Sequence, residues 1–350
     1  MPDSRPAAPL PSRLHRRLLR TLAAGTALAS LGLGLAACGG DSDAATEGDG
    51  APPPGVVRVG ALSGGVATQT DLKVSEVKSI SAGLPKSLAR KGRLTIGTSA
   101  LPSVFPPLIY IGQDQKTLTG AEPDLARLVA AVLGLEPEVR NSTWENLFLG
   151  LDSGKVDVAF SNITDTEERK RKYEFASYRE DNLAFEVPEK STWNFDGDYR
   201  NLAGQTVAVG AGTNQERILL AWRSKLKKEG KTLRVKYFPN SNSTYLALAG
   251  GKIDSYFDPN PTIAYHISQT AKTPNPTRNA GTFSGAGIAL QGLIAATAKK
   301  GSGLAEPIAE AINHLIRNGQ YAKWLAAWDL SNESVKTSRV NPPGLPLNNT

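Results

Sequence analysis

The sequence predicts an α/β protein of two lobes, because two similar strand–helix units follow one another along the chain. Each unit alternates strands and helices, which is typical of a mixed, mostly parallel sheet flanked by helices. A near-repeat supports the duplication: Leu151–Val158 and Leu248–Ser255 each place a small-Gly-Lys turn between a helix and a strand that begins with Asp. Two such units predict two lobes with a cleft between them.

The first 37 residues have the pattern of a lipoprotein signal peptide. A basic segment with Arg16 and Arg17 precedes an uncharged run over 22–37, which is shorter than the roughly 20 residues of a membrane-spanning helix. The run ends in Leu-Ala-Ala-Cys, which resembles a lipobox, so we expect cleavage before Cys38 and a lipid on it. An ordinary signal peptide with a chance cysteine is the alternative. The arginine pair leaves the general and twin-arginine export routes open.

Composition excludes several classes of function. The chain is 40% apolar and 21% charged, as in a soluble globular protein, and its net charge of +7 falls to +3 without the signal, which carries five Arg and one Asp. The remaining Lys and Arg do not cluster, so nucleic acid is not an expected partner. Cys38 is the only cysteine, and His266 and His314 are the only histidines outside the signal. We therefore expect no disulfide, metal or cofactor.

The domain order follows from composition and periodicity. Residues 38–92 comprise two parts. A polar tether ends in three prolines at 52–54, and the N-terminal extension that follows it is expected to pack on the body. Residues 93–185 and 284–330 form the predicted first lobe, with Asp124 as the N-cap of a helix over 125–133. Residues 186–283 form the second lobe, the two crossovers lie near 184–187 and 280–285, and 331–350 is a tail.

The helices and strands are predicted from apolar periodicity and from turn residues. In the first lobe the strands cover 94–97 and 156–160, and the helices cover 125–133, 144–151, 304–317 and 321–328. In the second lobe the strands cover 206–209, 233–238 and 253–257, and the helices cover 215–228 and 243–250.

Five motifs resemble the solute-binding proteins of bacterial amino-acid importers. In order they are 120–125, 144–157, 164–170, 201–213 and 319–328, and the resemblance covers about residues 93–330. It implies the type 2 periplasmic-binding-protein fold, with ligand bound in the inter-lobe cleft by hinge closure. It also implies an ABC permease as partner, a monomer, and no reaction on the ligand.

The first predicted binding segment follows the strand over 156–160. Ligands of open α/β sheets bind at the carboxyl ends of strands, where Ser161, Asn162 and Thr164 stand. Arg169 has the planar guanidinium that suits a carboxylate, and the resemblance implies that it holds the ligand's α-carboxylate while the three polar residues supply further contacts. The alternative makes Arg169 one more member of a solvated charge run over 167–172.

The second predicted segment is a Gly-rich turn at the start of a helix. Unpaired amides at a helix start favour an anion, and the resemblance implies that Thr213 and Asn214 meet the ligand's carboxylate, with Gln215 nearby. Gly210 and Gly212 also match the first two glycines of a dinucleotide fingerprint, but Gln215 stands at the third position. A nucleotide cofactor is therefore not expected.

Two aromatic residues and one acid complete the predicted site. The resemblance implies that Phe105 covers the aliphatic part of the ligand and that Trp144 lines the other side, whereas core packing is the alternative for both. The family's Asp for the ligand's α-ammonium is replaced by Pro259, and Asp258 stands one residue earlier. Asp258 is therefore the candidate for a cation in an unusual place, and a ligand without an amine is the alternative.

The expected function is the receptor of an importer for an amino acid or a related small carboxylate, anchored outside the cytoplasm through Cys38, on the outer face of the cytoplasmic membrane or in the periplasm. A sensor or interaction module on the same fold is a second hypothesis. An enzyme resembling a dehydratase is a third, with Glu122 or Asp258 as its acid or base.

Overall fold

The computed structural model describes residues 52–348. The signal and Cys38 therefore lie outside the described residues. The strands are β1 (Val56–Val59), β2 (Thr70–Lys73), β3 (Arg93–Leu101), β4 (Tyr110–Ile111), β5 (Leu118–Thr119), β6 (Glu136–Thr143), β7 (Val158–Ala159), β8 (Tyr173–Pro188), β9 (Thr206–Ala208), β10 (Arg234–Lys236), β11 (Ser255–Pro259), β12 (Thr277–Ser284) and β13 (Gly292–Lys299). The helices are α1 (Lys78–Ser81), α2 (Lys86–Lys91), α3 (Ala121–Val132), α4 (Trp144–Ser153), α5 (Asn214–Lys228), α6 (Ser241–Ala249), α7 (Asn260–Thr270), α8 (Ala305–Arg317) and α9 (Gln320–Ala327).

The first lobe is built on β3, which lies parallel to β6 on one side and to β7 on the other. Leu94 and Ile96 of β3 are fully buried, as expected for a strand covered on both faces. Gly97 is required for packing, because a Cβ there would stand 2.5 Å from a Leu147 methyl group of α4. This close approach brings the start of α4 up to the carboxyl end of β3, where the site lies.

The second lobe centres on β9, which pairs in parallel with β10 and β11. Aromatic side chains fill its core: Phe185 of β8 stacks on Phe257 of β11 with ring centroids 4.2 Å apart, and Trp222 of α5 packs against Phe257. The separate aromatic core confirms the two-lobed α/β class predicted from the repeated units.

The repeated turn has the same structural role in both lobes. Asp157 accepts a hydrogen bond from the Thr95 amide at 2.7 Å, and Asp254 accepts one from the Thr206 amide at 2.7 Å. Gly154, which ends α4, has φ of +73°, a conformation that glycine adopts without strain. The Asp side chain therefore ties the end of each helix–strand turn to the neighbouring parallel strand.

One long strand joins the lobes. Strand β8 pairs antiparallel with β13 up to Asp181, opposite Gly292, and with β12 from Asn182, opposite Ser284. Residues of this one strand thus belong to both lobes, and Asp181 lies where β8 changes its pairing partner from β13 to β12. The lobe boundaries predicted from the sequence remain a prediction.

Both ends of the described chain pack on the body. The hairpin β1–β2 and the short helices α1 and α2 bury Leu72 and Ile80, and the Gly60 amide donates to the Asp124 carboxylate at 2.7 Å. In the predicted C-terminal tail, Leu345 is fully buried in the core of the second lobe and forms a β-bridge with Thr166.

The prediction of Asp124 as a helix N-cap is wrong. Helix α3 begins at Ala121, four residues before the predicted start at 125, with Gly120 as its N-cap. Asp124 is buried instead, and its carboxylate accepts hydrogen bonds from Gly60, Arg127 and Trp328. Helix α7 was not predicted. Within residues 52–348, no helix combines the length and the apolar character that crossing a membrane requires.

Candidate functional site

A cavity of about 350 Å³ lies between the lobes. Its first wall comes from the ends of β3 and β7 and the start of α4, and its second wall comes from the loop before α5, the start of α6 and the end of β11. Eight of the ten predicted ligand-binding residues line it: Phe105, Trp144, Ser161, Asn162, Thr213, Asn214, Gln215 and Asp258.

Trp144 and Phe105 form the aromatic part of the first wall. Thr143 caps α4 by accepting from the Asn146 amide, which places Trp144 at the first helical position. The indole Nε1 donates to the Gly212 carbonyl of the opposite lobe at 3.1 Å. Trp144 therefore bridges the two lobes. Phe105 is half-buried in the loop after β3, where its backbone pairs with Ile109.

Ser161 and Asn162 are held by neighbouring elements. The Ser161 hydroxyl accepts from the Ser99 amide of β3 at 2.9 Å. The Asn162 amide donates to the Glu122 carboxylate at 3.1 Å, and its side-chain oxygen accepts from Arg179. Asn162 has φ of +50°, a left-handed conformation that Asn tolerates better than most residues. The Ser161 oxygen, the Asn162 backbone amide and the Asn162 side-chain oxygen thus have protein partners.

The turn before α5 is closed by its own residues. Thr213 caps the helix by accepting from the Glu216 amide at 3.1 Å, and its hydroxyl donates to the Gly210 carbonyl at 2.8 Å. The Gly212 amide donates to the Glu216 carboxylate at 2.6 Å. A carboxylate of the protein therefore takes part of the anion site that the sequence predicts here.

Asp258 is the acid of the second wall. It is 3% exposed, and no described residue forms a hydrogen bond with its Oδ2 atom. Gln215 Nε2 approaches Oδ1 at 3.5 Å. Burial raises the pKa of Asp258 to about 8, and the nearby Glu186 carboxylate adds to this, against hydrogen bonds from Tyr256 and Gln215. Strand β11 includes Pro259, which caps α7.

Thr164 and Arg169 do not line this cavity. The Arg169 guanidinium donates to the Thr164 carbonyl at 2.9 Å and lies 5.4 Å from the Trp144 ring and 5.5 Å from the Phe148 ring. Arg169 lines an adjoining depression of about 580 Å³, which shares Trp144, Glu145, Thr213 and Asn214 with the cavity. Burial lowers the pKa of Arg169 to about 10, against the negative charges of Asp181 and Glu168.

The sequence reasoning missed Asp181. Its Oδ2 accepts from the Thr164 hydroxyl at 2.7 Å and from the Asn214 amide group at 3.3 Å. The side chain is 1% exposed, and burial raises its pKa. Gly285 makes room for it, because a Cβ there would stand 1.7 Å from Oδ2. The polar run Arg179-Glu180-Asp181-Asn182 within an otherwise apolar segment was the available signal.

A second group that the sequence reasoning did not assemble lies behind the cavity. Arg179 is buried and forms ion pairs with Glu122 at 3.1 Å and with Glu333. Glu122 also accepts from the hydroxyl of Tyr178. Burial raises the pKa of Glu333 to about 7, against the charge of Arg179. Glu122, the candidate acid of the enzyme hypothesis, is thus engaged in a buried network outside the cavity lining.

Within residues 52–348, no group of three or more His, Cys, Asp or Glu side chains is arranged to hold a metal ion.

Comparison with known proteins agrees with the fold. The family described as bacterial extracellular solute-binding proteins, family 3, matches residues 94–331. The L-cystine-binding protein TcyJ of Escherichia coli is 26% identical over 70% of this chain and 87% of that protein. The arginine-binding protein ArgT of Corynebacterium glutamicum is 26% identical over 78% of this chain and 85% of that protein.

Solved structures also match the fold of this chain. An ancestral arginine-binding protein bound to arginine superposes with a TM-score of 0.58 at 26% identity, covering 68% of this chain and 98% of that one.

Proposed function

Because the chain belongs to the bacterial extracellular solute-binding proteins of family 3, we propose that it delivers an amino acid, or a small compound derived from one, to an ABC permease. The inter-lobe cavity receives the ligand, and the lobes close over it by rotation about β8, where the strand changes partner at Asp181. The relatives that bind cystine and arginine support this class of ligand.

The observation that carries the proposal is the free oxygen of Asp258. A buried carboxylate oxygen without a partner costs free energy, and an ammonium in the cavity would supply the missing hydrogen bond and the opposite charge. Cystine and arginine, the ligands that the relatives' names give, both carry ammonium groups. We propose that Asp258 binds the cationic group of the ligand.

The cavity binds its ligand without changing it. Of the two acids that the enzyme hypothesis requires, Glu122 is already held by Asn162, Tyr178 and Arg179. The other, Asp258, is the residue proposed above to bind the cationic group of the ligand. After incubation with the protein, mass spectrometry should detect the ligand in its original form. A sensor on the same fold would bind the ligand equally well. Uptake of the ligand that requires both this protein and the permease would identify an importer receptor and not a sensor.

Binding is tested by thermal unfolding of the full-length protein with single amino acids and their decarboxylated amines. A ligand at a hundred times its Kd stabilises by about 2.7 kcal/mol, so the unfolding temperature rises with concentration. Asp258→Asn should lose this rise. Asp165→Asn is the matched control, because Asp165 is a buried acid outside the cavity lining that lies 3.4 Å from Lys170. No response to any compound would contradict the proposal.

We further propose that a lipid on Cys38 anchors a monomeric protein beside its permease, outside the cytoplasm. Cys38→Ala should release the protein from the membrane fraction and leave ligand binding intact, since the cavity is formed by residues after 98. Unchanged membrane retention would contradict the anchor.

A further inference from the structure

The C-terminal segment, residues 339–347, contacts both lobes. At its start, the Ser177 amide donates to the Arg339 carbonyl at 3.0 Å, in the part of β8 that pairs with β13. Further along the segment, Leu345 is fully buried in the core of the second lobe. The family model matches residues 94–331 and ends before this segment. The segment therefore connects the lobes in addition to β8, and it lies outside the part of the chain that the family model matches.

The C-terminal segment also binds the turn that carries Arg169. The Gly344 amide donates to the Glu167 carboxylate at 3.0 Å, and the Glu167 amide donates to the Leu345 carbonyl at 3.0 Å. On the other side of Arg169, the ammonium of Lys170 donates to a backbone carbonyl of the same segment. The chain is thus tied to the C-terminal segment both before and after Arg169.

The same segment reaches α5 on the opposite lobe. Arg217 of α5 donates to the Leu347 carbonyl at 2.8 Å and forms an ion pair with Glu168. Asn214, the first residue of α5, lines the depression together with Arg169 and also lines the cavity. A carboxylate placed between these two residues meets a guanidinium and an amide at a helix start, both of which favour an anion. The C-terminal segment therefore joins the two sides of a place that suits a carboxylate.

We propose that the C-terminal segment positions Arg169 for the carboxylate of the ligand. A guanidinium binds a carboxylate through two parallel hydrogen bonds, so a displacement of about 1 Å weakens the pair strongly. The residues of the segment are positioning residues, because they line neither the cavity nor the depression and act through Arg169. The inference rests on the proposed function, in that an amino acid enters the cavity, and it names the part of the chain that sets the affinity for its carboxylate.

The experiment is calorimetric titration of the full-length wild type and Gly344→Ala with the common L-amino acids, L-cystine and the carboxamide of each. A Cβ at 344 would stand 2.4 Å from the Asp165 carbonyl oxygen, so the segment must move away from the turn. We expect the Kd of any amino acid that the wild type binds to rise at least about tenfold in Gly344→Ala, and that of its carboxamide to change less than about threefold. Leu347→Ala is the matched control, because its side chain is 53% exposed and Arg217 binds its backbone carbonyl.

A second measurement tests whether the segment acts through Arg169. In the Arg169→Ala background, Gly344→Ala should change the Kd of the amino acid by less than about threefold, because the guanidinium that it displaces is absent. If Gly344→Ala does not fold, Leu345→Ala takes its place with the same expected results. An unchanged Kd in the single variant, an equal loss of amino acid and carboxamide, or a loss that persists without Arg169 overturns the inference and leaves the proposed function standing. Binding of none of the compounds by the wild type contradicts both.

Discussion

Asp258→Asn keeps the size of a buried side chain and removes its ability to ionise. Since the pKa of Asp258 in the folded protein is about 8 and its usual value is 3.8, the folded state holds a proton that the unfolded state has lost between these two pH values. The unfolded state therefore binds fewer protons in this range, and the stability of the wild type falls as pH rises from about 4 to 8. The variant lacks this dependence.

The magnitude follows from the size of the shift. Between about pH 4 and 8, each pH unit lowers the unfolding free energy of the wild type by about 1.4 kcal/mol. The change across this whole range is on the order of 5 kcal/mol. Burial is the main cause, and the Glu186 carboxylate acts in the same direction. Asp165 and Glu333, whose pKa values burial raises to about 7, add a similar dependence that both proteins share. It cancels when the two are compared.

Urea unfolding of both proteins without ligand at pH 5, 6, 7, 8 and 9 measures the difference. We expect the unfolding free energy of Asp258→Asn minus that of the wild type to increase with pH up to about pH 8 and to stay constant above it. The affinity of the wild type for a ligand whose cationic group binds Asp258 should weaken by up to about tenfold per pH unit below pH 8, because the carboxyl must first lose its proton. Parallel stability profiles would mean that Asp258 ionises normally, and would refute the buried-acid reasoning.

Three further tests, the second with a matched control, address the packing around the site. Glu122→Gln should cost roughly 3–5 kcal/mol of unfolding free energy, because it leaves the buried charge of Arg179 short of a partner, and a cost under about 1 kcal/mol would contradict the network. Leu345→Ala should cost about 2–5 kcal/mol, whereas Leu347→Ala, at 53% exposure, should cost under about 0.5 kcal/mol; equal costs would contradict the buried C-terminal segment. Trp144→Phe removes the indole bond to the opposite lobe and should weaken ligand binding measured by calorimetry about tenfold, with unchanged affinity as the contrary result.

The elements of the cleft were predictable because their signals are local. A helix stopped by Gly154 and a following strand headed by Asp157 are read from consecutive residues, and the structure shows why the pattern recurs at Asp254. Eight of the ten predicted ligand-binding residues line the cavity, and most of them lie where such local signals are found, at strand ends and at helix starts. The start of α3 was not, because Asp124 bonds to Gly60, which is 64 residues away.

By itself, the sequence determined the two-lobed α/β class, the order of its units and the loops that meet at the cleft, because periodicity and turn residues act over a few positions. Only the tertiary structure decided which donors stay free for a ligand. Asn214 meets Asp181 and Gly285, which lie 33 and 71 residues away, and Arg169 lies beside Trp144 and Phe148. A side chain's hydrogen-bond partners depend on which elements fold against it, so the charge that the cavity offers is a property of the assembled lobes.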